Sequence, residues 1–299
     1  MKVLITGCHG QVGTELVALA PGYGVQAVGF ERSTLDITNK DAVLPCVAKE
    51  KPDVLINAAA YTAVDKAESD TEAAFAVNAT AVGYLAEACA KQDIPLVHIS
   101  TDYVFDGSKQ GEYSEQDVVS PLGMYGESKL AGEEAVRKLC AKHYILRTSW
   151  VFSAHGNNFV KTMLRLGKER DTLGVVSDQY GKPTSAREIA STIYAMLVSN
   201  QQAWGTYHIA QPEVTSWFGF ADAIFKEAKR QGMALNLETL NAIGTADFPT
   251  PAKRPQNSAL DCTQLEQIFG LTIKPWSEDL MAVLAAWAIE QQKVSIHAP

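Results

Sequence analysis

Short apolar runs alternate with longer segments of helical periodicity through the first half of the chain. Five of these runs predict β-strands, at 3–6, 26–30, 54–57, 96–100 and 144–147. They are continuously apolar rather than alternating, which is typical of a parallel sheet covered on both faces. Helical patterns lie between them, through 15–17 and over 70–91 and 125–140. This alternation predicts an α/β fold with a Rossmann-type, doubly wound parallel sheet.

The pattern changes after about residue 150. Aromatic residues, prolines and turn residues become more frequent, with clusters at 174–184 and 248–258. We therefore predict a smaller, mixed α/β C-terminal domain that closes over the main sheet. The predicted division is residues 1–150 for the main domain and 151–299 for the second, with some later segments returning to the main sheet.

The composition fits a folded protein and argues against several classes of function. Of the 299 residues, 46% are hydrophobic and 20% are charged, which leaves ample apolar surface for a core. The net charge of -8, without a block of Lys and Arg, argues against binding to nucleic acid or to an anionic membrane. No apolar run is long enough to span a bilayer, and the early Gly7 is unlike a signal peptide.

The cysteine and histidine patterns argue against disulfide and metal sites. The five cysteines are widely spaced and form no CxxC pair, and the six histidines show neither HxxH nor HExxH spacing. We therefore expect free thiols, no metal site and a reducing compartment, the cytoplasm.

A glycine-rich loop follows the first predicted strand. Gly7, Gly10 and Gly13 have the spacing GxxGxxG, and a predicted helix begins there. Glycines permit the tight turn and let the backbone approach a pyrophosphate, while the helix N-terminus offers free N–H groups. This position, after a strand and before a helix, favours a dinucleotide site over an ordinary turn.

The end of the second predicted strand bears on the choice of cofactor. An acid there suits the ribose of NAD, whereas an arginine suits the 2′-phosphate of NADP. Glu31 and Arg32 supply both groups, although a solvated charge pair is a common alternative. Asp36 and Ile37 follow closely enough to border the adenine. We expect both NADPH and NADH to be used, with NADPH favoured.

Tyr125 and Lys129 lie four residues apart on a predicted helix, and therefore on one face of it. We expect the lysine ammonium to lower the pKa of the tyrosine hydroxyl, which can then protonate a carbonyl oxygen during reduction. Thr101 comes at the carboxyl end of the fourth predicted strand, where doubly wound sheets bind ligands. These residues predict a site that reduces a carbonyl group.

The motifs together resemble the extended short-chain dehydrogenase/reductase superfamily. The resemblance rests on the glycine loop, on NAAA at 57–60, on STDYVFDG at 100–107 and on the YxxxK spacing of 125–129. It is sharper for the sugar-nucleotide reductases of that superfamily, through blocks at 58–68, 125–133, 147–152, 157–163, 178–184 and 249–258. These blocks extend over nearly the whole chain.

The resemblance implies NAD(P)H-dependent reduction of the 4-keto group of dTDP-4-dehydro-L-rhamnose to dTDP-L-rhamnose. That is the last step of dTDP-rhamnose biosynthesis, which serves surface polysaccharide such as the O-antigen of lipopolysaccharide. It further implies that residues 1–150 bind NAD(P), that residues 151–299 mainly bind the dTDP-sugar, and that the protein is a homodimer. Mg²⁺ is a candidate cofactor with Glu15 as its candidate ligand, although a solvated helix face explains Glu15 equally well.

The same resemblance implies roles for individual residues. The implied catalytic residues are Tyr125, Lys129 and Thr101. The implied cofactor-binding residues are Gly7, Gly10, Gln11, Val12, Gly13, Glu31, Arg32, Asp36, Ile37, Ala58, Ala59, Ala60, Tyr61, Thr62, Ile99, Tyr125 and Lys129. The implied substrate-binding residues are Thr101, Asp102, Trp150 and Arg254. Core packing is the alternative for Trp150, and a loop salt bridge is the alternative for Arg254.

Other functions on this scaffold are a sugar-nucleotide epimerase or dehydratase, a different 4-reductase, and a protein without catalysis. A dehydratase requires an Asp–Glu pair after the active-site Thr, whereas Asp102 and Tyr103 follow Thr101 here. A non-catalytic regulatory subunit or a plain nucleotide-binding scaffold does not require the intact Tyr125, Lys129 and glycine loop.

Overall fold

The computed structural model describes residues 1–199 and 201–296. Its strands are β1 (Lys2–Thr6), β2 (Gln26–Phe30), β3 (Val54–Asn57), β4 (Leu96–Thr101), β5 (His143–Thr148), β6 (Val151–Phe152), β7 (Thr172–Val176), β8 (Tyr180–Gly181), β9 (Thr184–Ser185), β10 (Gly205–Ile209), β11 (Thr215–Ser216) and β12 (Thr239–Ile243). Six of them form an all-parallel sheet in the order β10-β5-β4-β3-β1-β2. The predicted doubly wound, Rossmann-type sheet is thereby confirmed.

The five predicted strands all occur. β2 and β3 have the predicted bounds, and β1, β4 and β5 are slightly longer than predicted. The sixth strand, β10, was not predicted. Its sequence GTYHI has too few apolar residues to stand out, and pairing with β5 gives it its place in the sheet.

The helices are α1 (Gln11–Leu19), α2 (Lys40–Glu50), α3 (Val64–Ala67), α4 (Thr71–Phe75), α5 (Ala81–Gln92), α6 (Met124–Leu139), α7 (Phe159–Glu169), α8 (Ala186–Val198), α9 (Trp217–Arg230), α10 (Thr263–Phe269) and α11 (Trp276–Ile296). A π-helical turn, Ala76–Thr80, joins α4 to α5 in the segment predicted as one helix over 70–91. Helix α6 lies one residue earlier than predicted.

The continuous apolar runs serve both faces of the sheet. In β1, Val3 and Ile5 pack in one core with α1 and α8, whereas Leu4 packs on the other side with α2 and α5. Because side chains alternate across a strand, only a run that is apolar at every position can fill two cores.

One helical segment, Thr71–Gln92, is long and apolar enough to cross a membrane when judged by length and composition alone. The sequence predicted no apolar stretch long enough to span a bilayer, and by the criterion of length and composition that prediction is wrong. A core helix meets the same criterion, and the buried Ala81, Val82 and Leu85 of this segment pack against the sheet.

A third core lies in the part of the chain after residue 150. It is built by α7, α9 and α11, with Phe152 and Phe220 among its fully buried side chains. Three two-stranded sheets accompany it, pairing β12 with β7, β11 with β8 and β6 with β9. The predicted second domain, 151–299, includes Asn200 and 297–299, which lie outside the described residues.

Candidate active site

A trough runs along the carboxyl ends of the central strands. Its larger part is a cavity of about 670 Å³, lined by residues that follow β1, β3, β4 and β5. A smaller cavity of about 300 Å³ continues past the end of β2. The two cavities share Gly10, Ala58, Ala59 and Ala60. This edge of a doubly wound sheet is where ligands bind, because the loops diverge there.

The structure brings nearly all of the sequence-predicted site residues to this trough. Gly13, Arg254 and the candidate metal ligand Glu15 are the exceptions, since none of the three lines the larger or the smaller cavity. Gly13 instead lets α1 pack on the loop, because a Cβ there would lie 2.1 Å from the Gly7 carbonyl oxygen.

The glycine loop forms a cradle that admits a pyrophosphate. Gly7 has a φ of +70°, and a Cβ there would lie 2.6 Å from the backbone nitrogen of Ala59. Gly10 is the N-cap of α1, and no side chain caps that helix end. The first N–H groups of α1 therefore face the trough, as a dinucleotide phosphate requires. These residues fit an NAD(P) cofactor.

The smaller cavity is bordered by charged residues that suit the adenosine end of such a cofactor. The Glu31 carboxylate accepts a hydrogen bond from the Ser33 hydroxyl (2.6 Å) and lies 2.8 Å from the His9 ring nitrogen Nδ1. The Arg32 side chain is 88% exposed, with its Nε 3.7 Å from an Asp36 carboxylate oxygen. Sequence reasoning did not single out His9, because an x position of GxxGxxG carries no signal of its own.

A buried asparagine holds the loop over the trough. The Tyr61 N–H donates to Asn78 Oδ1 (2.8 Å), and Asn78 Nδ2 donates to the Tyr61 carbonyl (3.0 Å) and to Ser128 Oγ (3.0 Å). Asn78 lies in the π-helical turn, a feature common near functional sites. It therefore fastens the Ala58–Thr62 region to helix α6. The Tyr61 hydroxyl itself points away and donates to Asp70 (3.1 Å).

Tyr125 and Lys129 occupy successive turns of α6 and both line the larger cavity. The Lys129 ammonium is buried and donates to the Ile99 carbonyl (2.7 Å). Loss of water lowers the pKa of Lys129 to about 8, while Glu133 acts in the opposite direction. The lysine is thus a cation whose charge is sensitive to pH in the neutral to alkaline range.

The pKa of Tyr125 is raised, not lowered. Burial of the hydroxyl, with a smaller contribution from Asp102, raises it to about 12 against the hydrogen-bonding influence of Thr101. The sequence expectation that Lys129 depresses this pKa is therefore wrong. A helix places Tyr and Lys on one face, but the ammonium is anchored at Ile99. A protonated tyrosine remains suited to donating a proton.

Thr101 and Asp102 close the inner end of the trough. The Thr101 hydroxyl donates to Asp102 Oδ1 (3.0 Å) and accepts from the Tyr103 N–H (3.2 Å). Among the described residues, Asp102 Oδ2 makes no hydrogen bond of ordinary geometry. Burial raises the pKa of Asp102 to about 6, against the lowering influence of the Ser258 and Thr101 hydroxyls. Asp102 lines the larger cavity, where a carboxylate acceptor suits a ligand hydroxyl.

An indole pair forms the outer wall. Trp150 has a left-handed backbone, with a φ of +47°, and its ring stacks on Trp217 at 3.5 Å. Both rings line the larger cavity, so Trp150 contributes to a core and to the cavity wall at once. Trp217 was missed by sequence reasoning, since nothing in the pattern around it distinguishes it from a core aromatic.

Arg254 forms the loop salt bridge that the sequence offered as the alternative to a diphosphate contact. Its guanidinium donates to both carboxylate oxygens of Asp65, at 3.1 and 2.8 Å. The bond joins the C-terminal loop to α3, and Tyr103 adjoins the pair on the cavity side. This pairing holds the pKa of the Asp65 carboxyl below its usual range.

Glu15, the candidate Mg²⁺ ligand, has cationic neighbours. Its carboxylate lies 3.5 Å from the Arg187 guanidinium and 3.6 Å from the His155 ring. Within residues 1–199 and 201–296, no group of three or more His, Cys, Asp or Glu side chains is arranged to hold a metal ion. All five cysteines are free thiols, as predicted.

The comparisons with known proteins agree with this geometry. The family model of the RmlD substrate binding domain matches residues 1–289. A relative from Aggregatibacter actinomycetemcomitans, named dTDP-4-dehydrorhamnose reductase, is 47% identical over 289 residues, covering 95% of this chain and 98% of its own.

Two solved structures are similar over nearly the same length. A dTDP-4-dehydrorhamnose reductase from Clostridium acetobutylicum is 40% identical with a TM-score of 0.90, covering 95% of this chain and 99% of that chain. One from Bacillus anthracis, solved in complex with NADP, is 37% identical with a TM-score of 0.88, covering 95% of this chain and 98% of that chain.

Proposed function

The chain belongs to the RmlD family, whose similar members are dTDP-4-dehydrorhamnose reductases, and from that premise we propose the reaction and the residues that perform it. It is an oxidoreductase that uses NAD(P)H to reduce the 4-keto group of dTDP-4-dehydro-L-rhamnose, giving dTDP-L-rhamnose. The observation that carries this proposal is one trough with a glycine cradle at one end and Tyr125, Lys129 and Thr101 at the other.

The chain's own residues bind and orient both reactants. Gly7, Gly10 and the uncapped N-terminus of α1 hold the pyrophosphate, and the Ala58–Thr62 region, fastened by Asn78, covers the cofactor. When bound, the nicotinamide cofactor supplies the hydride for the reduction. Lys129 is positioned to bind the nicotinamide ribose.

Tyr125 donates its phenolic proton to the 4-oxygen of the sugar as the carbonyl is reduced. Its raised pKa keeps that proton in place at neutral pH. The Lys129 ammonium stabilises the negative charge that develops on the phenolic oxygen as the proton leaves. The Thr101 hydroxyl donates a hydrogen bond to the same sugar oxygen. That oxygen is therefore held between Tyr125 and Thr101.

The substrate occupies the part of the trough beyond Tyr125. Asp102 accepts a hydrogen bond from a sugar hydroxyl, and Trp150 packs against the apolar face of the sugar. Arg254 binds the diphosphate, which requires the phosphate oxygens to take the place of Asp65 on the guanidinium. Arginine suits this exchange because it pairs with carboxylate and phosphate in the same bidentate geometry.

The product distinguishes this reaction from those of other enzymes on the scaffold. Incubation of the protein with NADPH and the 4-keto-L-sugar should convert the substrate to a compound that co-elutes with authentic dTDP-L-rhamnose. An epimerase would return a 4-keto or 4-hydroxy epimer without net consumption of NADPH. Either of those products in place of dTDP-L-rhamnose would contradict the proposal.

We also place the protein in the cytoplasm as a homodimer that binds neither nucleic acid nor membrane, and that serves O-antigen or a related surface polysaccharide. The free cysteines support the proposed compartment, and the acidic composition without a basic block argues against nucleic acid as a partner. Residues 1–150 bind mainly the cofactor and residues 151–299 mainly the sugar nucleotide. Sedimentation of the purified protein tests the dimer.

The charge of Lys129 predicts the alkaline limb of the pH profile. Its pKa of about 8 means that the ammonium is present below that pH and is lost as the pH rises through it. We expect kcat/KM to fall about tenfold per pH unit above that point, since kcat/KM reports the free protein. A profile that stays flat to about pH 10, where an ordinary lysine titrates, would exclude this role.

Arg32 is proposed to bind the 2′-phosphate of NADPH. Changing Arg32→Ala should weaken NADPH binding by about three- to tenfold while leaving NADH binding almost unchanged, because NADH lacks the 2′-phosphate that the exposed guanidinium would bind. Arg165→Ala is the matched control, since Arg165 also makes an exposed i,i+4 ion pair, with Glu169 on α7. Titration calorimetry with both cofactors provides the measurement. Equal losses for NADPH and NADH would mean that Arg32 does not bind the phosphate.

A further inference from the structure

A side-chain amide joins the glycine loop to the segment that follows β6. Gln11 is the first residue of α1, and its Oε1 accepts a hydrogen bond from Asn158 Nδ2 (2.9 Å). The Ser153 hydroxyl lies 3.0 Å from the same oxygen. Gln11 and Asn158 both line the larger cavity. The bond therefore connects the proposed cofactor cradle to the later part of the chain at the wall of the trough itself.

Backbone groups fix the orientation of the Asn158 amide. Its Oδ1 caps α7 by accepting from the Lys161 N–H (3.1 Å), while its Nδ2 donates to the Ser153 carbonyl (2.8 Å). A backbone N–H only donates and a carbonyl only accepts, so these two bonds determine which end of the amide is oxygen and which is nitrogen. Asn158 therefore presents an N–H, and not an oxygen, to Gln11.

The Asn158 side chain is held by the C-terminal core. It caps α7, whose Val160 and Leu164 are buried in that core. The next residue, Phe159, packs on Trp217 at a centroid distance of 4.6 Å. A group that orients another side chain is more precise on such an element than on a loop. The donor that meets Gln11 is therefore in place before a ligand binds.

The bond to Asn158 decides which end of the Gln11 amide is left for a ligand. An amide has an oxygen that accepts and a nitrogen that donates two hydrogens. Because Asn158 takes the oxygen, the N–H groups of Gln11 Nε2 remain for a ligand in the cavity that Gln11 lines. The reverse orientation would turn an oxygen towards the negatively charged pyrophosphate of a dinucleotide, which it would repel.

We propose that Asn158 is a positioning residue for the cofactor: it holds the oxygen of the Gln11 amide, so that the amide N–H groups donate to the pyrophosphate of NAD(P). The proposal rests on the proposed function, which identifies the trough as an NAD(P) site. It adds a side-chain donor to the backbone N–H groups of α1, and it assigns the orientation of that donor to a residue of the C-terminal core. Hydrogen bonds to a charged oxygen are the stronger kind, so this orientation matters for affinity.

Asn158→Asp reverses the orientation and keeps the helix cap. Aspartate caps a helix as well as asparagine does, so the bond to the Lys161 N–H is retained. It offers only acceptors to Gln11, however, so the Gln11 amide must turn its N–H groups towards position 158 and its oxygen towards the pyrophosphate. Asn158→Ser also keeps a cap, but it leaves the Gln11 amide free to take either orientation.

Titration calorimetry of the whole protein with NADPH measures the effect and requires no sugar substrate. Asn158→Asp should weaken NADPH binding by about thirtyfold, of which about tenfold is the lost hydrogen bond to a charged group and the rest is the added negative charge. Asn158→Ser should weaken it by about threefold. Both variants keep the cap, so their melting temperatures should be similar, and a role of Asn158 in the fold alone predicts equal affinities for the two.

Gln11→Ala is the control for the charge that Asn158→Asp introduces near the pyrophosphate. Gln11→Ala alone should weaken NADPH binding by about tenfold, because it removes the same donors. In the Gln11→Ala background, Asn158→Asp should weaken binding by only about threefold, the part due to the added charge. The difference between the two backgrounds measures the coupling between Gln11 and Asn158.

An equal loss of affinity on Asn158→Asp in both backgrounds would overturn the proposal, as would a Gln11→Ala variant that binds NADPH as tightly as the wild type. Failure of the wild-type protein to bind NADPH or NADH would overturn both this proposal and the proposed function. The expected coupling in a protein that reduces no sugar would contradict the proposed function alone, because calorimetry measures the cofactor site directly.

Discussion

Tyr125→Phe should lower kcat by a factor of about 10²–10⁴, the usual loss when a proton donor is removed from a reacting oxygen. The variant keeps the ring, which packs edge-on against Tyr103 at a centroid distance of 5.5 Å, so the fold of the site is preserved. Cofactor binding should change little, because the glycine cradle and the Lys129 anchor at Ile99 do not depend on the hydroxyl.

The matched control is Tyr103→Phe, which removes a second tyrosine hydroxyl from the same cavity. That hydroxyl adjoins Arg254 rather than Thr101, so its loss should affect mainly the KM of the sugar nucleotide. Steady-state kinetics with NADPH and the 4-keto sugar separate the two cases. Turnover of Tyr125→Phe within a factor of about ten of wild type would remove Tyr125 as the acid.

Arg147→Met should lower the free energy of unfolding by about 3–5 kcal/mol, the range found when one partner of a buried ion pair is deleted. Arg147 is 3% exposed and Glu133 is fully buried, and the guanidinium donates to both carboxylate oxygens, at 2.9 and 2.7 Å. Burial raises the pKa of Glu133, but Arg147 and Ser100 outweigh it and hold the pKa low. Without Arg147 the buried Glu133 carboxylate keeps only Ser100 and Arg137 as donors, so the cost of burying its charge is poorly compensated.

Arg137→Met provides the control, because Arg137 donates to the same Glu133 oxygen at the same 2.7 Å. Arg137 is 38% exposed, so water screens its charge and its removal should cost less than about 1 kcal/mol. Urea denaturation of the two variants compares the costs directly. Similar losses in the free energy of unfolding for Arg147→Met and Arg137→Met would show that burial does not determine how much an ion pair with Glu133 stabilises the fold. The double variant Glu133→Gln with Arg147→Met should recover part of the loss, since the uncompensated charge is gone.

The parts of the fold that the sequence predicted are those governed by short-range patterns. The strands β1 to β5 are continuous apolar runs, and a run such as Val3-Leu4-Ile5 has few alternatives to a sheet covered on both sides. β10 escaped prediction because its place depends on pairing with β5, which is distant in the sequence. A local pattern carries no information about such a partner.

The candidate site also has some features that local sequence patterns predict and others that they do not. The glycine spacing and the helical interval between Tyr125 and Lys129 are local patterns, and the structure brings Gly7 and Gly10 to the same trough as that pair. The surroundings of each side chain, by contrast, depend on residues that are distant in the sequence. The raised pKa of Tyr125 depends on burial, and the pairing of Arg254 with Asp65 joins segments far apart in the chain. Trp217 reaches the cavity wall only because the C-terminal core stacks it on Trp150.

The most direct test of the account is the oxidation of NADPH in the presence of dTDP-4-dehydro-L-rhamnose, followed by the loss of nicotinamide absorbance. The L-sugar is generated from its D-configured precursor by the preceding epimerase, and a parallel reaction omits that enzyme. We expect oxidation that requires the epimerase and that Tyr125→Phe abolishes. Oxidation without the epimerase would show that the D-configured 4-keto sugar is the substrate. No oxidation with NADPH or NADH would contradict the assignment of a reductase.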